Sequence, residues 1–207
     1  DGSGNYTILT NAGSLGSDKT ITLPNETATL ATTTATNLGG LVLINKTTLS
    51  SSTYGTVDNV FSSTYSTYFI LGNFVSSATK ELRLRFRTGG ASGSDHTASS
   101  IYSYNYNYVP LGASTGQTHT GASQDNYLQL ASAFTGNTGF EVKVFCPNEA
   151  KNTLATWTAA GSQSGTDYLY SGGGLVSDTT ALTGFGFYTK DSASLTGEIL
   201  TYGYNEG

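Results

Sequence analysis

The sequence predicts an all-β protein: a jelly-roll-like β-sandwich over residues 39–207, preceded by a short β-rich segment over residues 1–38. Three observations predict it. Alternation with a period of two recurs along the chain. It is clearest in Leu82-Arg83-Leu84-Arg85-Phe86-Arg87, Phe140-Glu141-Val142-Lys143-Val144 and Gly184-Phe185-Gly186-Phe187-Tyr188, and residues two apart share one face of a strand. Gly, Ser and Asn punctuate these runs at short intervals, as turns require. No window carries a sustained helical repeat with caps. Many short strands joined by Gly-rich turns form sandwiches or jelly rolls.

In chain order, residues 1–38 hold three short alternating pieces, 6–10, 19–23 and 27–32, with turns at Asn11-Ala12-Gly13, Gly16-Ser17-Asp18 and Pro24-Asn25. Each piece offers only two or three apolar side chains. So little burial does not offset the entropy of ordering the backbone. Three copies wrapped together would share one core, so a homotrimer is expected. From residue 40 the alternating runs lengthen. Strands are expected at 41–49, 59–61, 65–75, 81–88, 99–109, 126–131, 139–146, 153–159, 167–170, 181–189 and 197–204. A single helical turn fits 148–152. Leu82, Leu84 and Phe86 should face a core while Arg83, Arg85 and Arg87 face out. Trp157, sharing parity with Ala155 and Ala159, is expected in the core. Gly172-Gly173-Gly174 marks a tight turn or a close approach of another backbone.

The composition excludes several classes. Only 11 % of residues are charged, nine of them Lys or Arg, and the net charge is −5. Nucleic-acid binding draws its affinity from cations against phosphates, so no nucleic-acid partner is expected. Disorder is not expected either, because 14 Tyr and 9 Phe are available for burial. The longest aliphatic run, Leu41-Val42-Leu43-Ile44, is far short of the ~20 residues of a membrane span, so membrane insertion is not expected. The one cysteine, Cys146, has no intrachain partner and follows Val142, Val144 and Phe145; it reads as a small buried hydrophobe. No secretory signal is visible. The chain lacks Met and opens Asp-Gly-Ser-Gly, which suggests a fragment or a processed product. Its low-charge, hydroxyl-rich surface suits an extracellular structural protein.

Three phrases resemble bacteriophage tail-fibre proteins. Lys19-Thr20-Ile21-Thr22-Leu23-Pro24, continuing to Thr29-Leu30-Ala31-Thr32, is similar to a phrase of fibre shafts just before a terminal domain. Val57-Asp58-Asn59-Val60-Phe61-Ser62-Ser63-Thr64-Tyr65-Ser66-Thr67-Tyr68 looks like the opening of many fibre heads, with Ser66 where Asp is common. Leu195-Thr196-Gly197-Glu198-Ile199-Leu200-Thr201-Tyr202 is similar to their closing strand. The resemblance implies a shaft segment at 1–38 and a trimeric, jelly-roll-like receptor-binding head at 39–207, placed at the tip of a fibre on the virion and joined to further fibre or virion proteins. It implies no catalysis.

The candidate binding residues cluster between 95 and 126. In Ile101-Tyr102-Ser103-Tyr104-Asn105-Tyr106-Asn107-Tyr108-Val109, strand parity sets Tyr102, Tyr104, Tyr106 and Tyr108 on one face. Tyrosine adds contact area at low entropic cost, so the face could be a platform for sugar rings. Alternatively, it covers the sheet or a neighbouring subunit. Polar loops flank the segment. Asp95, His96, His119, Gln124, Asp125 and Asn126 could hydrogen-bond glycan hydroxyls or stand as solvated loop residues. His96 and His119 match no metal-binding spacing, and no cofactor is expected. The acidic residues are scattered, with no spacing that marks the carboxylate pair of a glycosidase, and neither a nucleophile elbow nor a phosphate-binding loop is present. The expectation is a non-enzymatic adhesin whose partner is a bacterial surface polysaccharide or another outer-surface receptor. The alternatives are a polysaccharide depolymerase and a purely structural virion protein.

Overall fold

The computed structural model describes residues 40–98, 100–112 and 115–205, with backbone only for 120–125. The segment expected at 1–38 lies outside the described residues. Among the described residues thirteen strands follow in order: β1 Gly40–Ser52, β2 Tyr54–Val57, β3 Thr67–Ser76, β4 Lys80–Thr88, β5 Ser94–Asp95, β6 Tyr102–Pro110, β7 Gln117–Asp125, β8 Leu128–Phe134, β9 Asn137–Phe145, β10 Thr153–Gln163, β11 Thr166–Val176, β12 Gly184–Thr189 and β13 Leu195–Asn205. Their helical structure is limited to two 3-10 turns, Gly90–Ser92 and Lys190–Ser192, among the described residues.

The strands form two antiparallel sheets packed as a sandwich. The larger runs β1-β13-β3-β9-β10-β11-β6-β7 and the smaller β2-β12-β4-β5, with β8 also paired to β4. Four nested pairs organise the whole: β1 with β13, β2 with β12, β3 with β9 and β4 with β8. A chain folded back on itself and then rolled gives this nesting, the order of a jelly roll. Two insertions extend it. One, between β4 and β8, contributes β5, β6 and β7; the other, between β9 and β12, contributes β10 and β11. Strands β10, β11, β6 and β7 continue the larger sheet beyond β9.

The core lies between the sheets. Phe74 and Phe140, 4.9 Å apart, meet Phe187 at 5.4 and 4.8 Å. Each such ring fully buried is worth ~1.5–3 kcal/mol in removed apolar surface. Leu82, Leu84 and Phe86 are fully buried, as their parity requires. Trp157 is 3 % exposed and donates its indole N–H to the Leu130 carbonyl at 3.2 Å.

The structure corrects several local expectations. Residues 59–61 form no strand: Asn59 takes φ 56°, which ends the extended run, and Val60 and Phe61 instead donate their N–H groups to Thr183 O. The strand of that region is β2, just upstream. The polar stretch after residue 112, expected as loop, contains β7. The glycine triplet makes no turn; it lies inside β11, where Gly172 and Gly174 leave room for the Trp157 and Leu128 side chains and for the close approach of the β6 carbonyls of Asn105 and Ser103. The helical turn expected at 148–152 is a non-helical turn. Cys146 is half-buried, not buried, with φ 56° at the end of β9.

Candidate functional site

The two insertions and β8 enclose a cleft of about 460 Å³ at one end of the sandwich. Its position follows from local sequence. Ser164 (φ 50°) and Gly165 (φ 86°) form the two-residue turn between β10 and β11, with Gln163 opposite Thr166. Both turn residues sit at positive φ, as the tight hairpin turn that matches strand twist demands. This hairpin carries Gln163 and Tyr168 to the cleft. In register, Tyr168 faces Pro110, and Tyr108 faces Tyr170 on one side and Gln117 on the other. Ser132 and Ala133 of β8 contribute the remaining wall, with Thr115 from the approach to β7.

The walls are two half-buried phenols and a set of uncharged polar groups. Tyr108 and Tyr168 stand 6.1 Å apart at 54°, and Tyr170 backs both at 6.0 and 6.1 Å. The Tyr108 hydroxyl donates to Gln117 Oε1. Gln117, Gln163, Thr115 and Ser132 each supply both donors and acceptors, and among the described residues no charged side chain lines the cleft. The volume falls within the ~300–1,000 Å³ of small-molecule sites.

Of the expected binding tyrosines, the structure brings only Tyr108 to an accessible site. Tyr102, Tyr104 and Tyr106 are 0, 5 and 1 % exposed, so the expectation of an open tyrosine platform is corrected. Parity puts all four on one face of β6, but that face points inward, onto β8. The hydroxyls explain why these are not phenylalanines. Tyr102 Oη accepts from the Phe86 N–H at 3.1 Å and donates to His96 O at 3.0 Å. Tyr104 Oη donates to Gln129 Oε1 at 3.1 Å, and Gln129 Nε2 donates to Tyr106 Oη at 3.0 Å. From β11, Tyr170 donates to Ala133 O at 3.0 Å. A buried hydroxyl needs a partner, and the backbone and one amide of β8 meet most of that need. Burial pushes the Tyr106 and Tyr170 phenols up, opposed by hydrogen bonding with Ser132.

The remaining candidates are dispersed. Asp95 and Asn126 belong to a lattice on the outward face of the smaller sheet. Asp95 takes Arg85 Nη1 at 2.9 Å, the Tyr54 hydroxyl at 2.5 Å and Arg87 Nη1. Asn126 receives Arg85 through its carbonyl and its Oδ1, each at 2.9 Å. Arg87 also pairs with Asp58 at 2.7 Å, and Arg83 with Glu81 at 2.5 Å. The guanidiniums stand over rings: Arg83 over Tyr127 at 4.1 Å and Arg85 over Tyr188 at 4.7 Å. Burial pushes the Tyr188 phenol up to about 12. The arginines face outward as expected, but acids and rings cover them until their side chains are only 10–17 % exposed. Both Asp95 and Asn126 are thus structural partners in this lattice rather than free loop donors.

His96 Nε2 lies 2.9 Å from Asp178 Oδ2, a charge contact when the ring is protonated, although that buried nitrogen makes no aligned hydrogen bond. His119 is exposed on β7 and stacks on Tyr106 at 5.1 Å. The two histidines join no cluster of three metal-ligating side chains among the described residues. Gln124 and Asp125 end β7, and their side chains lie outside the described residues. Sequence reasoning did not single out Gln163, Tyr168, Ser132 or Gln117 as site residues. The signal for the first two was Ser164-Gly165 between alternating runs, a hairpin turn that places its flanks at a loop tip. In comparison with known proteins, no family model matches this chain and no curated protein matches it.

Proposed function

We propose that this chain is the host-attaching head of a bacteriophage tail fibre, a homotrimeric adhesin on the virion that binds a bacterial surface glycan and does not cleave it. The cleft between Tyr108 and Tyr168 carries the proposal. Two phenol faces suit the apolar faces of pyranose rings, and the amides and hydroxyls around them match sugar hydroxyls, which also donate and accept. An uncharged lining favours a neutral glycan. Hydrolysis by the usual route needs two carboxylates flanking the scissile bond, and the described lining offers none. The cleft sits on insertions held by a rigid sandwich, the usual arrangement for recognition surfaces. Weak single-site affinity would be multiplied by three sites per fibre.

The test is saturation-transfer NMR and calorimetric titration of the full chain with fragments of host capsule and lipopolysaccharide. Binding without any shortening of the polymer is expected. Progressive chain cleavage would replace the adhesin reading with a depolymerase. Absence of binding, together with failure of the free protein to block phage adsorption, would leave a purely structural virion role.

A further inference from the structure

We infer that the outward face of the larger sheet is the surface on which copies of this chain meet. The inference deepens the multichain part of the proposed function; it rests on that reading for the number of copies and owes nothing to glycan binding. Of the eight exposed large apolar residues among those described, six project from this one face: Leu41, Leu43, Val75, Leu154, Leu169 and Tyr204. Leu43 is 53 % exposed and Leu41 49 %. Singly exposed apolar residues are ordinary, but their concentration on one sheet face marks an interaction surface.

The face has two complementary halves. At β1, β13 and β3 the side chains are bulky. Leu41 pairs with Tyr204, Leu43 with Tyr202 and Tyr202 with Phe69, and Phe69 packs 6.2 Å from Tyr204. Over β9, β10 and β11, small outward residues (Gly139, Thr156, Thr158, Ala160, Ser171 and Gly173) lie among the longer Glu141, Lys143, Leu154 and Leu169. Gly139, Thr158 and Ala160, with Glu141 and Leu169, border one hollow of about 250 Å³, and Thr156, Thr158 and Ser171, with Glu141 and Lys143, another of about 300 Å³. The bulky half of one copy fits the hollow half of another.

Charge agrees with this occupant. The chain carries −5 overall, so two copies repel on average. Across β1, β13, β3, β9, β10 and β11, however, the charged residues are Lys46, Lys143, Glu198, Glu141 and Asp167, which sum to −1. Four of them are already paired within the chain, Lys46 with Glu198 at 2.9 Å and Lys143 with Glu141 at 3.5 Å, and Asp167 accepts the Ser162 hydroxyl. A like copy therefore meets a nearly neutral face, far less repulsive than the chain's average surface. The area is also sufficient. Seven gaps between strands give a width of ~34 Å, and strands of this length run ~30 Å. In a trimer each copy gives half of the resulting ~1,000 Å² to each neighbour, so each interface buries ~1,000 Å² in total, the lower bound of a specific interface. Association by the β1 edge instead is disfavoured, because β1 breaks register between Leu43 and Asn45 and again between Leu49 and Ser52, and such bulges blunt an edge.

The test places a photo-crosslinking benzophenone side chain at Leu43 in the full chain, with a control at the exposed Thr56 of β2, on the other side of the sandwich. Isotope-labelled and unlabelled chains are mixed by refolding before illumination, and light scattering gives the mass. Leu43 is expected to cross-link between chains, onto the region of Thr158 and Ala160, and Thr56 is not. The mass is expected near three times 21.6 kDa. Filling the hollow with Ala160→Trp should reduce the Leu43 cross-link at least fivefold, with circular dichroism unchanged. A dimer that cross-links from Leu43 upholds the face and overturns the trimeric fibre reading. A trimer whose Leu43 cross-links only within its own chain, or no more than Thr56 does, overturns the face alone. A monomer overturns both.

Discussion

Gly172 lies directly across from Trp157 in the β10–β11 ladder, beneath its indole. A Cβ added at Gly172 would stand 2.5 Å from Trp157 Cζ2, 2.6 Å from Tyr106 Cβ and 2.7 Å from the Asn105 carbonyl. Glycine is needed there for space, since its φ is not among the positive values. Its neighbour Gly173 points the other way, where a Cβ would meet nothing nearer than Ala155 O at 3.6 Å. Gly172→Ala should therefore destabilise by ~1–3 kcal/mol through overpacking. Gly173→Ala should be neutral or mildly stabilising, because it lowers the entropy of the unfolded chain. Urea denaturation of the two variants checks the contrast, and equal costs would contradict this placement of the indole.

Tyr102 is completely buried, and its hydroxyl serves two backbone groups, the Phe86 N–H and the His96 carbonyl. Tyr102→Phe keeps the ring and removes only that link. The expected cost is ~1–3 kcal/mol, the penalty for buried polar groups left without a partner. Thermal denaturation together with amide exchange at Phe86 measures it. An unchanged melting temperature would mean that water replaces the hydroxyl.

Tyr168→Ala and Gln163→Ala remove one ring and one amide from the cleft on the outer hairpin. Each should weaken glycan binding about fivefold to tenfold, or ~1–1.4 kcal/mol, with little change in stability. Thr56→Ala, on the other side of the sandwich, should bind as the parent does. Titration calorimetry with the best-binding fragment decides; parent-like affinity in both cleft variants would move the site elsewhere.

Burial opposes ionisation of Asp95, yet donors from Tyr54, Arg85 and Arg87 hold its carboxyl below the ordinary 3.8. A carboxylate held lower in the folded state than in the unfolded contributes stability that is complete above the unfolded value. That contribution is lost as pH falls below about 3.8 toward the lowered folded value. Asp95→Asn should cost about 1.5–3 kcal/mol at pH 7, the range for hydrogen bonds to charged groups. It should also flatten the acid limb of the melting curve between pH 4 and 2. Some slope should remain, because Asp178, lowered first by the Thr180 N–H, and Asp191, lowered by Lys80, still titrate. A variant with the parent's acid limb would show that Asp95 is not its source.

The sequence by itself determined the class of fold and the face on which most strand residues lie. Period-two alternation assigned Leu82, Leu84 and Phe86 to one side and Arg83, Arg85 and Arg87 to the other, and both assignments match the folded chain. It also placed the four tyrosines of β6 on a common side. Only the tertiary structure decided that this side is the interior. Parity separates two faces but cannot say which of them another sheet will cover, and here β8 covers the tyrosines. The cleft was hidden for a related reason. Tyr108, Gln117, Ser132, Gln163 and Tyr168 come from five strands that meet only because β11 pairs with β6 across the insertions. Long-range pairing of that kind leaves no trace in local spacing, whereas a strand's own pleat is written every second residue.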